Sequence, residues 1–178
     1  MKKLVLLIAV IGLFTVSSNA QETFKKGTKL LEASIGFSSN GSPLVVSYEA
    51  GVKDNLFNVN KLNLGIGGYL GYYGYSTTVA KFGGTSKSNF SVIAPGIRAL
   101  VHYQLIDKLD AYAGPAIGFS VQFASTEAAN METQTANTIK FSWGFAGGLR
   151  YEITPNWGAF IEAGKASGNF TLGAAYKF

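Results

Sequence analysis

Cysteine is absent from the 178 residues, only 14% of the chain is charged, and there are four prolines and a single histidine. Without cysteine there can be no disulfide framework, thiolate zinc site or cysteine nucleophile, nor the lipid-modified cysteine at the mature N-terminus of a bacterial lipoprotein. Charge this sparse beside 13% aromatic residues excludes a disordered chain or a coiled coil, and the 22 glycines follow no triplet period, which excludes collagen. Length sets one compact domain as the expectation.

Long hydrophobic runs are also lacking. The longest, Leu4 to Phe14, follows Lys2 and Lys3 and leads into Thr15, Val16 and the polar exit Ser17-Ser18-Asn19-Ala20. At about 11 residues it is too short for a hydrocarbon core, which needs about 20, and it has the three-part form of a secretory signal peptide. The small residues Ser18 and Ala20 place cleavage before Gln21, giving a signal peptide over 1–20 and one mature domain over 21–178. Loss of Lys2 and Lys3 lowers the formal charge from +5 to +3, too mild a balance to suggest a nucleic-acid partner.

What the mature region does have is a two-residue period. Phe170, Leu172, Ala174, Tyr176 and Phe178 share one face, with Thr171, Gly173, Ala175 and Lys177 on the other. The same alternation runs from Leu109 to Phe123, longer than an ordinary globular strand but suited to a tilted strand crossing a bilayer. The pattern predicts eight strands, near 28–38, 43–52, 61–74, 90–105, 109–124, 139–153, 157–165 and 169–178. Polar stretches Tyr75 to Asn89 and Ser125 to Thr138 read as long external loops, and Ile106 to Lys108 and Thr154 to Asn156 as tight internal turns, the outer-membrane pattern. Lys53 to Asn60 is long for an internal turn, whereas Ser39 to Ser42 and Ala166 to Gly168 are short for external ones.

Strands in lipid must satisfy every backbone N–H and C=O among themselves, so the expected architecture is all-β: a closed eight-stranded antiparallel up-and-down transmembrane barrel. Gly65, Gly67, Gly71, Gly114, Gly118, Gly144 and Gly148 would face a narrow lumen. Pro95 and Pro115 fall within strands, where each removes a ladder donor and suggests a bulge or irregular pairing. Outward aromatics should form two girdles. The lower would be Tyr103, Tyr151, Trp157, Tyr176 and Phe178, the upper Phe37, Tyr72, Phe123, Phe141 and Phe170.

Charges collect on the opposite face: Glu32, Glu49, Arg98, His102, Lys140, Arg150, Glu152, Glu162 and Lys177. Buried charges persist only when paired, so a polar network is expected in the lumen, with Arg98 and Arg150 shared among Glu32, Glu49, Glu152 and Glu162. A hairpin turn at Asp107 would set His102 opposite Tyr112 and Gln104 opposite Asp110. Eight strands enclose little more than their own side chains, which argues against a wide pore.

These features resemble the small eight-stranded outer-membrane barrels of the OmpA and OmpX kind, the porin-like outer-membrane β-barrel domain. The resemblance covers the mature chain. It rests on the signal peptide, the Gly-aromatic strands IGGYLGYYGY, LDAYAGPAIGFSV and WGFAGGLRYEI, and the closing strand FTLGAAYKF with its C-terminal phenylalanine. It implies that Tyr176 and Phe178 act as the signal read by the barrel-assembly machinery during insertion, and that the protein resides among the lipids of the cell outer membrane.

Some barrels of this kind modify lipids with a His, a Ser and an acid, but His102 has no serine at a suggestive spacing and lies toward the other end of its strand. Metal-ligand spacing and a phosphate-binding loop are absent, so no cofactor and no enzymatic activity are expected. The reading is an integral outer-membrane protein with a structural or surface-interaction role, meeting any external ligand or surface through 75–89 and 125–138. The alternatives are a narrow or gated channel and a secreted, soluble ligand-binding barrel.

Overall fold

The computed structural model describes residues 23–37, 41–81, 84–128, 134–164 and 168–178; the signal-peptide region lies outside them. Eight strands follow one another: β1 Lys29–Phe37, β2 Leu44–Lys53, β3 Leu62–Lys81, β4 Gly84–Ile106, β5 Leu109–Ala128, β6 Gln134–Glu152, β7 Trp157–Gly164 and β8 Gly168–Lys177. Each pairs antiparallel with its sequence neighbours, and β1 closes the ring on β8, with Leu30 opposite Lys177 and Phe37 opposite Phe170. Closure leaves no edge where the ring is complete. The end that carries Lys29 and Lys177 is referred to as the lower end.

The alternation read from the sequence sorts the side chains, but inside out relative to a soluble protein. Leu31, Ile35, Val46, Ile66, Leu70, Ile97, Ile117, Phe119, Ile161 and Leu172 face outward and are exposed. Glu32, Glu49, Arg98, His102, Asp110, Arg150 and Glu162 are buried within. A greasy exterior around an ionic interior is the arrangement that hydrocarbon requires.

The wall is of two heights. β1, β2, β7 and β8 contain 9, 10, 8 and 10 residues, close to the length of a tilted bilayer-crossing strand. β3, β4, β5 and β6 contain 20, 23, 20 and 19. Among the described residues the continuous β2 ladder on β3 ends at Leu44 opposite Tyr72, with an isolated bridge at Gly41 beyond it, and the β7 ladder on β6 ends at Gly164 opposite Ala146. Above those points β3 to β6 project as a four-stranded sheet.

This corrects the loop assignment. Tyr75 to Asn89 and Ser125 to Thr138 are largely strand: Tyr75 pairs with Phe90, Lys81 with Gly84, and Thr126 with Gln134. Beyond the bilayer neither face has to be greasy, so the apolar alternation stops while the hydrogen-bonded ladder continues through β-favouring Tyr, Ser and Thr. The largest boundary errors lie here, not at the three links of unusual length. Tips 82–83 and 129–133 and links 38–40 and 165–167 lie outside the described residues.

Neither proline produces a bulge. Pro95 pairs with Leu70 of β3 and lacks only its β5 partner, with the same register on either side, from Ile93 opposite Val121 to Gly96 opposite Gly118. Pro115 likewise pairs with Phe145 on β6. Near each proline the β4–β5 pairing is interrupted over two positions, at Ala94–Pro95 and at Ala99–Leu100 facing Gly114–Pro115, which is the irregular pairing expected in place of a bulge, and the tall ladders around it hold register. Shifts occur instead between Gly51 and Lys53, Gln104 and Ile106, and Ala163 and Gly164, near strand ends.

Four of the five expected lower-girdle aromatics, Tyr103, Trp157, Tyr176 and Phe178, are exposed, whereas Tyr151 is half-buried. Trp157 packs on Tyr176 with centroids 4.9 Å apart, and Tyr48, not assigned to a girdle from the sequence, meets Phe178 at 6.3 Å. On the upper side Phe37 and Phe170 meet across strands at 6.3 Å, Tyr72 tops the ladder with β2, and Phe119 and Phe141 meet at 5.5 Å. Phe123, opposite Ser91 and Asn137, stands higher, in the projecting sheet.

Candidate functional site

One connected cluster of buried ionic side chains lies in the lower half of the lumen. The turn at Asp107 and Lys108, with Lys108 at φ +66°, fixes the β4–β5 register, so that His102 stands opposite Tyr112 and Gln104 opposite Asp110. Register then delivers Arg98 from β4, Arg150 from β6, Glu32 from β1, Glu49 from β2 and Glu162 from β7 to the same interior.

Arg98 donates through Nη1 to Glu162 Oε2 at 3.0 Å, and through Nη2 to Glu32, to Ser47 Oγ at 3.3 Å and to Glu49 Oε2 at 3.5 Å. Ser47 Oγ donates in turn to Glu32 Oε2 at 2.9 Å. Arg150 donates to Glu32 Oε1 at 3.2 Å and Asp110 Oδ2 at 2.6 Å, so Glu32 bridges the two guanidinium groups. His102 places Nδ1 2.7 Å from Asp110 Oδ2 and Nε2 2.6 Å from Glu49 Oε1. Burying these groups carries a large desolvation cost, which shared hydrogen bonds across six strands offset.

The structure places Glu32, Glu49, Arg98, His102, Arg150 and Glu162 on the inward face and brings them together. Glu152 is not among them: it bonds Lys177 near the lower rim, separate from the arginines. Lys140 is exposed on the projecting sheet, opposite Ser120, because β6 rises past the closed ring before reaching it. Asp110 and Ser47 are not among the carboxylates and partners expected to share the arginines; the register that sets Asp110 opposite Gln104 extends the polar core downward, and its two partners, His102 and Arg150, depend on cross-barrel distances that register alone does not give.

Phe24 was also missed. It precedes β1, is 2% exposed, and lies inside the lower mouth with its ring stacked on His102 at 3.8 Å and the Arg150 guanidinium carbon over the ring, 5.5 Å from its centroid. Asn63 Nδ2 donates to its carbonyl at 2.6 Å. Gly65 accommodates this segment, since a Cβ there would run into Glu49 and the tip of Phe24. A lone aromatic outside any periodic segment gives no sequence signal for such a position.

Among the described residues no group of His, Asp or Glu is arranged to hold a metal ion. A closed ring of eight strands, an ionic interior and an apolar belt between aromatic girdles together specify one architecture. The chain has the fold of the small eight-stranded outer-membrane β-barrels. It is similar to Ail, the attachment invasion locus protein of Yersinia pestis, in a crystal structure with the heparin analogue sucrose octasulfate: TM-score 0.53, 12% identity, 86% of this chain and 99% of that one. It is similar also to the N-terminal β-barrel domain of Pseudomonas aeruginosa OprF, with TM-score 0.52, 15% identity, 87% of this chain and all 100% of that one. No family model and no curated protein matches the sequence. At such identities the barrel is shared in backbone plan, and the side chains of its lumen must be read from this molecule alone.

Proposed function

We propose that the protein is an integral outer-membrane barrel, sealed by its own side chains, with a structural or surface-interaction role. The single observation that carries this reading is the inverted burial: exposed Leu, Ile and Phe form the outer wall while Glu32, Glu49, Arg98 and Arg150 are withdrawn inside it. In water that arrangement would be unstable, and in lipid it is the stable one. His102 is held between two carboxylates and Arg98 among three, so the cluster serves cohesion, without catalysis.

The projecting β3–β6 sheet supports the interactive part. From Gln134 to Phe145, β6 has no β7 partner among the described residues, so its upper portion offers backbone donors and acceptors to an approaching extended segment. Insertion of the barrel would place this sheet outside the cell.

Fractionation with heat-modifiable gel migration tests the location: the reading expects an outer-membrane band that shifts on boiling, and recovery as a detergent-free soluble protein would overturn it. Protease added to intact cells should cut at the hairpin tips and leave a protected core. Planar-bilayer recording tests the seal. Wild-type protein should be silent, and steady conductance that grows when Arg98 or Arg150 is truncated would favour the channel reading.

A further inference from the structure

The link between β2 and β3 has features that the barrel itself does not need. It spans Asp54 to Lys61, where a two-residue turn would join the strands, and it presents Phe57 at 83% exposure and Val59 at 46%. Phe57 holds φ +55°, within a run that also puts Asn55, Asn58 and Lys61 at positive φ. For a bulky residue that backbone is strained, and strain persists where surrounding bonds over-determine it. Here Asn55 N–H donates to Asn63 Oδ1 at 3.1 Å, Lys61 N–H to Asn55 Oδ1 at 3.3 Å, and Asn58 N–H to the Asn55 carbonyl at 2.9 Å. The link is therefore braced, and its apolar residues are held away from the lumen.

The surroundings are basic. Lys25, Lys26, Lys29, Lys53 and Lys61 are exposed at this end, with Lys108 half-buried in the β4–β5 turn. Lys26 N–H bonds Asp54, which ties the first of these segments to the link, and Glu152 is already taken by Lys177. The collar lies immediately below the aromatic girdle: Leu62, next to Lys61, pairs with Tyr103, and Phe178 N–H bonds the Lys29 carbonyl at 3.2 Å. Positive charge and protruding apolar side chains at headgroup depth are the two components of interfacial binding to an anionic lipid surface.

We propose that the Asp54–Lys61 link with its lysine collar is a foot that binds anionic phospholipid headgroups of the leaflet on the lower side, Phe57 and Val59 entering the interface while the lysines neutralise phosphates. This rests on the membrane-spanning reading, and the test separates the two. Because the chain has no cysteine, Val59→Cys provides a single spin-label site in the refolded protein, and Leu70→Cys on the lipid-facing wall reports insertion independently.

In vesicles of phosphatidylcholine with phosphatidylglycerol, the label at 59 should show several-fold higher collision with oxygen and lower collision with a water-soluble nickel chelate than in phosphatidylcholine alone. High salt, or Lys53→Gln with Lys61→Gln, should remove that difference, and Phe57→Ser should return the label to water in both lipids. Equal aqueous exposure at 59 in both lipids, with position 70 shielded, would overturn the foot and leave the barrel intact. Exposure at both positions would overturn the membrane reading as well. Shielding of 59 that appears only on adding peptidoglycan fragments would assign the surface to another partner and overturn the lipid proposal.

Discussion

The ring of Phe24 lies flat on the imidazole of His102, centroids 3.8 Å apart and planes 17° from parallel. A residue from outside the strands thus covers part of the ionic cluster at the lower mouth, and its carbonyl is held by Asn63 on β3.

Phe24→Ala removes that ring without disturbing any strand pairing. The void and the partial hydration of His102 should cost about 3 kcal/mol, near the low end for buried Phe→Ala because the mouth can fill with water. Equilibrium urea unfolding in lipid vesicles measures it, and an unchanged midpoint would show that the segment leaves the barrel in solution.

Arg98 and Arg150 test the cluster in a graded way. Arg98→Ala leaves Glu32, Glu49 and Glu162 short of a cation, and Arg150→Ala leaves Asp110 and Glu32 short of one. Each should lose about 3–5 kcal/mol, the range for breaking a buried pair from one side. Pairing Arg98→Met with Glu162→Gln should recover part of the loss, which unfolding midpoints of the single and double variants will show.

Two mid-strand glycines should respond differently. At Gly114 an added Cβ would be driven into the Ala99 carbonyl and close to the Leu100 backbone, whereas at Gly68 it meets only the Gly96 carbonyl oxygen at 3.5 Å. Gly114→Ala should therefore lower the folded fraction on unheated gels, and Gly68→Ala should leave it unchanged.

The depth of the hydrocarbon band can be read with one charge. Ile97 lies on the outer wall opposite Gly68 and Ile117, inside the closed ring, while Ile139 lies on the projecting sheet opposite Val121. Ile97→Arg should cost about 2–4 kcal/mol and Ile139→Arg close to nothing. Equal costs would place the projecting sheet in lipid.

The strand count, the facing of each strand and the register at Asp107 could be read in the sequence because a bilayer enforces strict alternation wherever a strand crosses it. Outside the bilayer that constraint lapses, and so Tyr75–Lys81 and Gln134–Thr138 read as loops although their ladders continue. The lumen was legible as a face and not as a wiring diagram. Glu152 and Glu162 share that face, yet Glu162 reaches Arg98 across the barrel and Glu152 meets Lys177 on β8, two strands away. Phe24 was illegible for a different reason: its place follows from a cavity the strands create, which no local pattern encodes.

Unequal rim height gives the molecule a front and a back. Something drifting in over β1, β2, β7 and β8 finds a low sill and the mouth of the cylinder beyond it. Coming from the opposite bearing, it finds a palisade. A protein of this shape, spinning in a crowded plane, is therefore directional, and its neighbours can shoulder against one flank without hiding the other.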